Sequence, residues 1–267
     1  MDAYLPAPAP DAAPRPAVVV IPGGAWRRGG RIDLAEVAAR IAGRGYAAFV
    51  VDYRRDDPRP FPGAVDDVAR AFAFVRARAA RFGIDRERVA LLGTSAGGNL
   101  AALAGDDPRA VRIARGRPLA VVSWSGPMNL VDMAEDARSL TRCRIGPPWR
   151  SPGCTLSRSI LARLPVWLGC PIDARAPWLS REPRPAPCPG VYRSGSPVAR
   201  VSPRHPPTLL IHARGDRLVP VRQSRLMAGR LGRAGVGRLA LIVPGRAHGA
   251  DLADDALGPT LRFLSRR

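Results

Sequence analysis

The stretch VALLGTSAGGNLAAL (residues 89–103) decides the fold of this chain. It opens as an apolar run typical of a buried strand, and it closes as a segment rich in helix formers. Between the two lies Gly-Thr-Ser-Ala-Gly, a pattern that predicts a tight, strained turn raising a serine oxygen above a parallel sheet. Ser95 is therefore the candidate nucleophile, and the alternative is a turn with a purely structural role.

Strand-like and helix-like segments alternate on both sides of this turn. This alternation predicts an α/β fold, with a mostly parallel central sheet and helices on both faces. Strands are predicted over residues 17–21, 46–51, 89–93, 119–124, 208–213 and 239–243. Helices are predicted from Ile32 through Leu34, Val37 and Ile41 to about Gly43, over 64–81, from Ser95, and around 220–235 and 251–265.

Residues 127–205 break this rhythm. They are rich in proline and hold three tryptophans and all four cysteines: Trp149, Trp167, Trp178, Cys143, Cys154, Cys170 and Cys188. A long irregular insertion of this kind predicts a cap or lid within one domain spanning 1–267. The cysteine spacing fits no zinc site, while two disulfides and free buried thiols both stay open.

The composition is that of a globular protein with a large arginine excess. The 267 residues are 46% hydrophobic and carry a net charge of +20, and the chain contains no lysine. No recognised nucleic-acid-binding module accompanies the charge, so we expect no nucleic-acid partner. No apolar run is long enough to predict a membrane span, and no signal peptide is evident. We therefore expect a cytoplasmic protein by default, or an exported one if the N-terminus is truncated; the oligomeric state is not predicted.

The chain has three histidines, and their settings differ. His248 lies in the loop PGRAHG, directly after the last predicted strand, which makes it the candidate general base. His212 lies within a predicted strand, so we expect a packed, hydrogen-bonded side chain. His205 lies in a proline-rich loop, where we expect a surface residue.

An aspartate at the end of a neighbouring strand completes the candidate triad. Asp216 is the third residue after the predicted strand TLLIHA, whereas three later aspartates are expected in the solvated first turn of the last helix. These competitors are Asp251, Asp254 and Asp255. The chain order Ser95, Asp216, His248 is that of α/β-hydrolases, and such a triad needs neither a metal nor a cofactor.

The first confident strand ends in Pro-Gly-Gly-Ala-Trp (residues 22–26). Small residues there let backbone N–H groups approach a ligand closely. Together with the N–H group of Ala96, they predict an oxyanion hole for a tetrahedral intermediate. Taken alone, the same residues would indicate no more than a glycine-rich turn.

The motifs VVVIPGGAWRRGG, LLGTSAGGNLAAL, HPPTLLIHARGDRLVPVRQS and LIVPGRAHG together resemble the α/β-hydrolase esterases. The most similar groups are the hormone-sensitive-lipase-like carboxylesterases and the feruloyl/acetyl-xylan-esterase-like enzymes. The resemblance implies a nucleophile, an acid and a base at Ser95, Asp216 and His248. It also implies oxyanion donors at Gly24, Ala25 and Ala96, and we expect Gly23 and Trp26 to contact substrate.

The chain departs from that family at two places. Pro22 stands where the family usually has histidine, which bears on the rigidity of the oxyanion loop. The chain also begins close to the strand-like residues DAYLP, so one or two antiparallel edge strands of the family are expected to be missing.

The function expected from these residues is hydrolysis of carboxylic esters. The substrates would be small acyl or aryl esters, and the reaction would pass through an acyl-enzyme. An amidase or peptidase with the same machinery (for example an arylformamidase-like enzyme) is one alternative. A catalytically impaired binding protein with this fold is the other. Ala96 after the serine favours esterases, because prolyl-oligopeptidase-type peptidases favour an aromatic residue there.

Overall fold

A computed structural model describes residues 1–7, 13–55, 61–134 and 188–267. The described residues form one seven-stranded sheet in the order β1-β3-β2-β4-β5-β6-β7, in which only β1 runs antiparallel to its neighbour. The strands are β1 (Asp2–Tyr4), β2 (Arg15–Ile21), β3 (Ala47–Val50), β4 (Ile84–Thr94), β5 (Val121–Trp124), β6 (Thr208–Ala213) and β7 (Arg238–Val243). The predicted α/β class with a mostly parallel sheet is confirmed.

Helices cover both faces of this sheet. They are α1 (Ala35–Ala42), α2 (Gly63–Ala77), α3 (Ala79–Phe82), α4 (Ala96–Asp106), α5 (Pro108–Ala114), α6 (Cys188–Ser194), α7 (Arg222–Arg233) and α8 (Ala253–Leu264). Short 3-10 helices occupy Arg31–Leu34, Pro197–Ala199 and Gly249–Leu252. None of the described helices is both long and apolar enough to cross a membrane.

Strand β2 shows why the sheet needs covering on both sides. Val19 and Ile21 point into a core shared with α2, α4 and α7, whereas Val18 and Val20 point into a second core shared with α1 and α8. All four side chains are fully buried. A strand that is buried on both faces has a continuous run of apolar, mostly β-branched residues, whereas a half-exposed strand alternates apolar and polar residues. Residues 17–21 form such a continuous run.

Two details of the predicted helices are wrong. The helix predicted over 64–81 is two helices, α2 and α3, because Arg78 between them leaves the helical region at φ −110° and ψ 21°. Ile32 does not join the apolar face of α1. It lies in the preceding 3-10 helix with 82% of its surface exposed, because the tighter winding there turns it away from the buried Leu34.

The predicted cap falls mainly outside the described residues. Of the four cysteines, Cys143, Cys154 and Cys170 lie outside them, and Cys188 is described only as the first residue of α6. The cap and the single-domain boundaries therefore stay predictions. The sheet brings three candidate residues to its carboxyl edge. Ser95 follows the central strand β4, Asp216 follows β6, and His248 follows β7.

Candidate active site

Ser95 lies in a strained turn between β4 and α4. Its backbone has φ 51° and ψ −121°, a conformation that residues with side chains rarely adopt. The turn is held because the N–H group of Ser95 donates to the carbonyl of Trp124 at 2.8 Å, and the Ser95 carbonyl accepts from Gly98 at 2.9 Å. The serine is thus fixed at the carboxyl end of the central strand, and its hydroxyl lies at the carboxyl edge of the sheet.

Two glycines make this turn sterically possible. A Cβ atom on Gly93 would come within 2.1 Å of the Gly97 carbonyl oxygen, and one on Gly97 within 2.1 Å of the Ile21 carbonyl oxygen. Both obstacles are backbone atoms, which cannot move aside as a side chain can. The glycines of the motif are therefore required by the close packing of α4 on β4 and β2.

Gly97→Ala should accordingly destabilise the fold. Forcing a methyl group against the Ile21 backbone is expected to lower the free energy of unfolding by about 3 kcal/mol. Urea denaturation measures this change. Gly229→Ala, in helix α7 with only the end of Arg233 near the new methyl group, is the matched control. It should stabilise the protein by about 1 kcal/mol, and equal effects of the two changes would contradict the packing argument.

His248 bridges the serine and the aspartate. Its Nε2 atom lies 2.8 Å from Ser95 Oγ, and its Nδ1 atom lies 2.7 Å from Asp216 Oδ2. An ionised carboxylate only accepts hydrogen bonds, so Nδ1 carries the proton and Nε2 is left to accept the serine proton. The structure therefore brings together the three residues selected from the sequence, in the order that proton transfer requires.

Asp216 is held ionised by its hydrogen bonds. Burial opposes ionisation, but the side chains of His212 and His248 and the backbone N–H of Val219 outweigh it and keep the pKa of Asp216 well below its usual range. Its Oδ1 atom accepts from the N–H groups of Leu218 at 2.8 Å and Val219 at 3.1 Å. The carboxylate is thereby fixed on one oxygen and presents the other to His248.

The other two histidines are both buried. His212 has no exposed surface and is hydrogen-bonded through both ring nitrogens, as expected from the sequence. The expectation for His205 is wrong: it is 4% exposed, and its Nδ1 lies 2.9 Å from the Pro206 carbonyl oxygen. Its loop is drawn onto α4 by Ser202, whose N–H and hydroxyl both donate to the buried Asp106, and burial lowers the pKa of His205.

Two of the three competing aspartates occupy the position expected for them. Asp254 and Asp255 lie in the first turn of α8, and Asp251 lies in the 3-10 helix just before it. All three are exposed. None of their carboxylates is hydrogen-bonded to the His248 ring in the described part of the chain; Asp251 meets His248 only through its backbone N–H group, which donates to the His248 carbonyl at 3.2 Å. Asp216 is therefore the acidic partner of the imidazole.

The loop after β2 lies against the candidate nucleophile. A Cβ atom on Gly23 would be 3.1 Å from Ser95 Cβ, which shows how closely the backbone approaches. The N–H groups of Gly24, Ala25 and Ala96 have no hydrogen-bond acceptor among the described residues. Unpaired donors beside a serine hydroxyl are what an oxyanion requires. Pro22 has no N–H group to offer, and the candidate donors come from later residues.

The conformation of this loop is itself strained. Ala25 and Trp26 have positive φ angles of 51° and 58°, and the Gly24 carbonyl accepts from the N–H group of Arg28 at 2.9 Å. Trp26 differs from expectation: it is only 1% exposed and packs in the core below the loop, so it does not suit direct contact with substrate. The left-handed turn drives the large ring inward, which is not visible in the sequence.

Tyr53 holds this loop in place, and it is not among the residues predicted from the sequence. Its hydroxyl donates to the carbonyls of Pro22 at 3.3 Å and Gly23 at 3.4 Å, and the side chain is 5% exposed. Burial raises the pKa of Tyr53, so the hydroxyl remains a donor. The only signal in the sequence is its place two residues after the predicted strand 46–51.

We expect Tyr53→Phe to slow catalysis without abolishing it. Losing one modest hydrogen-bonding group costs about 1 kcal/mol, or about a fivefold reduction in kcat if the oxyanion loop loosens. Steady-state kinetics on a short-chain ester measure the change. Tyr4→Phe, on the edge strand β1, is the control and should leave kcat unchanged. A normal kcat for Tyr53→Phe would mean that the tether does not support the loop.

A cavity of about 290 Å³ opens beside these groups. It combines the serine and histidine with small apolar side chains and with two carboxylates. Its lining residues are Gly23, Gly24, Ala25, Asp33, Leu34, Thr94, Ser95, Leu218, His248, Gly249, Ala250 and Asp251. Over residues 1–7, 13–55, 61–134 and 188–267, no cluster of three or more His, Cys, Asp or Glu side chains is arranged to hold a metal ion.

Comparisons with known proteins agree with this geometry. Residues 1–150 match the BD-FAE family, and residues 173–264 match the prolyl oligopeptidase family. Esterase LipC of Mycobacterium tuberculosis is 34% identical over 94% of this chain, and the probable carboxylic ester hydrolase LipM of the same organism is 30% identical over 79% of it. The chain spans only 57% and 43% of the lengths of these two relatives.

A solved structure has the same fold as this chain. The acetyl ester-xyloside bifunctional hydrolase of Caldicellulosiruptor lactoaceticus superimposes with a TM-score of 0.70 and 25% identity, covering 99% of this chain and 86% of the other. The resemblance to α/β-hydrolase esterases is thereby confirmed. Because the BD-FAE match covers more than half of its residues, this chain belongs to the BD-FAE family and has the α/β-hydrolase fold.

Proposed function

We propose that this protein is a serine hydrolase that cleaves carboxylic esters of small acyl or aryl groups. The observation that carries the proposal is the continuous hydrogen-bonded series Ser95–His248–Asp216. It ends at a cavity beside three backbone N–H groups that have no acceptor among the described residues. The names of the relatives, an esterase and a probable carboxylic ester hydrolase, support the same reaction class.

In the proposed reaction Ser95 Oγ attacks the ester carbonyl carbon while His248 Nε2 takes its proton. The carbonyl oxygen becomes an oxyanion, which accepts hydrogen bonds from the N–H groups of Gly24, Ala25 and Ala96. The carbon–oxygen bond to the alcohol then breaks, and the alcohol leaves with the proton held by His248. Water attacks the resulting acyl-enzyme with His248 again as base, and the acid is released.

The size and lining of the cavity favour small acyl groups. A volume of about 290 Å³ lies at the lower end of ligand pockets, and Leu34, Leu218 and Ala250 supply apolar walls. The solved neighbour is by name an acetyl ester hydrolase, which is consistent with a short acyl chain. We therefore expect acetate and propionate esters to be better substrates than long-chain esters.

A fluorophosphonate probe combined with a substrate panel tests this proposal. The probe should label Ser95 in the folded protein. Hydrolysis of p-nitrophenyl acetate should be faster than that of a long-chain p-nitrophenyl ester, because a cavity of this size does not enclose a long acyl chain. Failure of the probe to label well-folded protein would overturn the proposal and favour a binding protein with this fold.

An amide substrate is the second candidate. The match of residues 173–264 to the prolyl oligopeptidase family is the observation that favours it, since the same triad geometry serves both bond types. Matched ester and anilide substrates with the same acyl group separate the two. We expect kcat/KM for the ester to exceed that for the anilide by far, and the reverse order would replace an esterase by an amidase.

A further inference from the structure

Asp216 accepts from two histidines, and only one of them faces the nucleophile. The Nε2 atom of His212 lies 3.2 Å from Asp216 Oδ2, the same oxygen that lies 2.7 Å from His248 Nδ1. His212 comes from strand β6 itself, four residues before the aspartate. The side chains of His212 and Asp216 are both fully buried. The reacting histidine and a second, inaccessible histidine thus share one carboxylate oxygen.

The hydrogen bonds of His212 fix the orientation of its ring. Nε2 lies 2.8 Å from the carbonyl oxygen of Val219, which can only accept, so Nε2 carries a proton and directs it between Val219 and Asp216. Nδ1 lies 2.8 Å from the hydroxyl oxygen of Ser224 and, in the neutral ring, accepts a hydrogen bond from this hydroxyl group. A ring bonded at both ends in this way has one orientation.

Ser224 is itself held in place by its neighbour in the first turn of α7. The fully buried side chain of Gln223 accepts from the N–H groups of Met128 at 2.9 Å and Asn129 at 2.6 Å, and it donates to Asp132 at 2.6 Å. These contacts attach α7 to the segment that follows β5. The Ser224 hydroxyl, which orients His212, therefore lies on a helix end that is fixed to the rest of the fold.

We propose that His212 is a positioning residue that, oriented by Ser224, holds Oδ2 of Asp216 toward His248. Its effect on turnover rests on the proposed ester hydrolysis, whereas its effect on the His248–Asp216 hydrogen bond does not. Oδ1 is fixed by two backbone N–H groups, and His212 supplies a fixed donor to Oδ2 from strand β6. Without it, the carboxylate is free to tilt and the imidazole loses its alignment with Ser95.

Two substitutions at this position separate positioning from mere packing. His212→Phe fills the same space without a donor, and we expect kcat to fall by about 10- to 100-fold with little change in KM, because the base is misaligned while the pocket is intact. His212→Gln places an amide N–H group near the position of Nε2, so it should recover most of the lost kcat. A purely structural role would give no such rescue in folded protein.

A spectroscopic measurement tests the proposal without relying on activity. The proton shared by His248 Nδ1 and Asp216 gives a far-downfield NMR resonance, which should be retained in the parent and in His212→Gln but shifted or broadened in His212→Phe. If the parent protein hydrolyses no ester, the proposed function fails, yet this resonance still reports on His212. An unchanged resonance and an unchanged kcat in folded His212→Phe would overturn the inference.

Two further variants guard against misfolding. Ser224→Ala removes only the hydroxyl that orients the ring, and it should lower kcat in the same direction with a smaller effect. If His212→Phe does not fold, an unchanged kcat and resonance in Ser224→Ala would overturn the proposal. His205→Phe is the matched control: it also removes a buried histidine, but one that precedes the amino end of β6, so it should lower stability and leave kcat unchanged.

Discussion

Replacing Ser95 with alanine is expected to lower kcat for p-nitrophenyl acetate by about 10⁵- to 10⁶-fold. The hydroxyl is the only group within hydrogen-bond distance of His248 Nε2 among the described residues, so the base is left with nothing to deprotonate. The unpaired N–H groups of Gly24, Ala25 and Ala96 remain and still stabilise an oxyanion, so a small residual rate over water is expected. Stopped assays with high enzyme concentration measure this residual rate.

The folded state should survive this change. Alanine at φ 51° carries much the same backbone strain as serine, so thermal unfolding should shift little. Ser265→Ala, an exposed serine after the end of α8, is the control and should keep full activity. Parent-like hydrolysis by the Ser95→Ala protein, or labelling of that protein by a fluorophosphonate, would remove Ser95 from the proposed mechanism.

The candidate catalytic groups were predictable because each follows a strand of a parallel sheet. Ser95, Asp216 and His248 come after β4, β6 and β7, whose apolar runs are evident in the sequence. Parallel strands bring all their carboxyl ends to one edge, so sequence position alone implies spatial proximity. The order of the strands in the sheet and the distances between atoms depend on tertiary contacts, so the sequence does not predict them. That the three residues lie at one edge of the sheet follows from the sequence.

Other features depend on contacts that no local pattern encodes. The burial of His205 results from hydrogen bonds between Ser202 and Asp106, which are 96 residues apart in the sequence. The inward turn of Trp26 results from positive φ angles in a loop that is held by Tyr53. A histidine in a proline-rich loop and a tryptophan after a glycine pair are ordinarily exposed or ligand-facing, and the neighbouring elements decide otherwise.

The positive net charge of the chain is not found in the lining of the candidate site. The net charge is +20, yet the described lining of the cavity beside Ser95 includes the carboxylates Asp33 and Asp251 and no arginine. Many described arginines are instead paired on the surface, as in Arg54 with Asp67 and Arg109 with Asp66. In the described part of the chain, the candidate site therefore depends on a few buried hydrogen bonds, and these paired arginines lie outside the lining of its cavity.

Asp216→Asn is expected to lower kcat by about 10⁴-fold while leaving the serine in place. An asparagine satisfies the N–H groups of Leu218 and Val219 through its oxygen and turns its amide N–H₂ group toward His248 Nδ1, so that both histidines lose their carboxylate acceptor. His248 Nδ1 then has to accept, which moves its proton to Nε2. In that tautomer the imidazole cannot take the proton from Ser95, so acylation slows. Steady-state kcat at neutral pH measures the loss.

The same variant has an expected signature in stability. The folded pKa of Asp216 is depressed, so its ionised form stabilises the fold above the unfolded pKa of about 3.9 and this contribution is lost as pH falls through the folded pKa. The Asn variant should lack this part of the acid destabilisation, and its free energy of unfolding should fall less steeply below about pH 4. Asp255→Asn, exposed on the first turn of α8, is the control and should unfold with the parent's pH dependence. Parallel acid profiles for Asp216→Asn and the parent would show that the ionised carboxylate contributes nothing to the fold, while an undiminished kcat would show that it does not set the tautomer of His248.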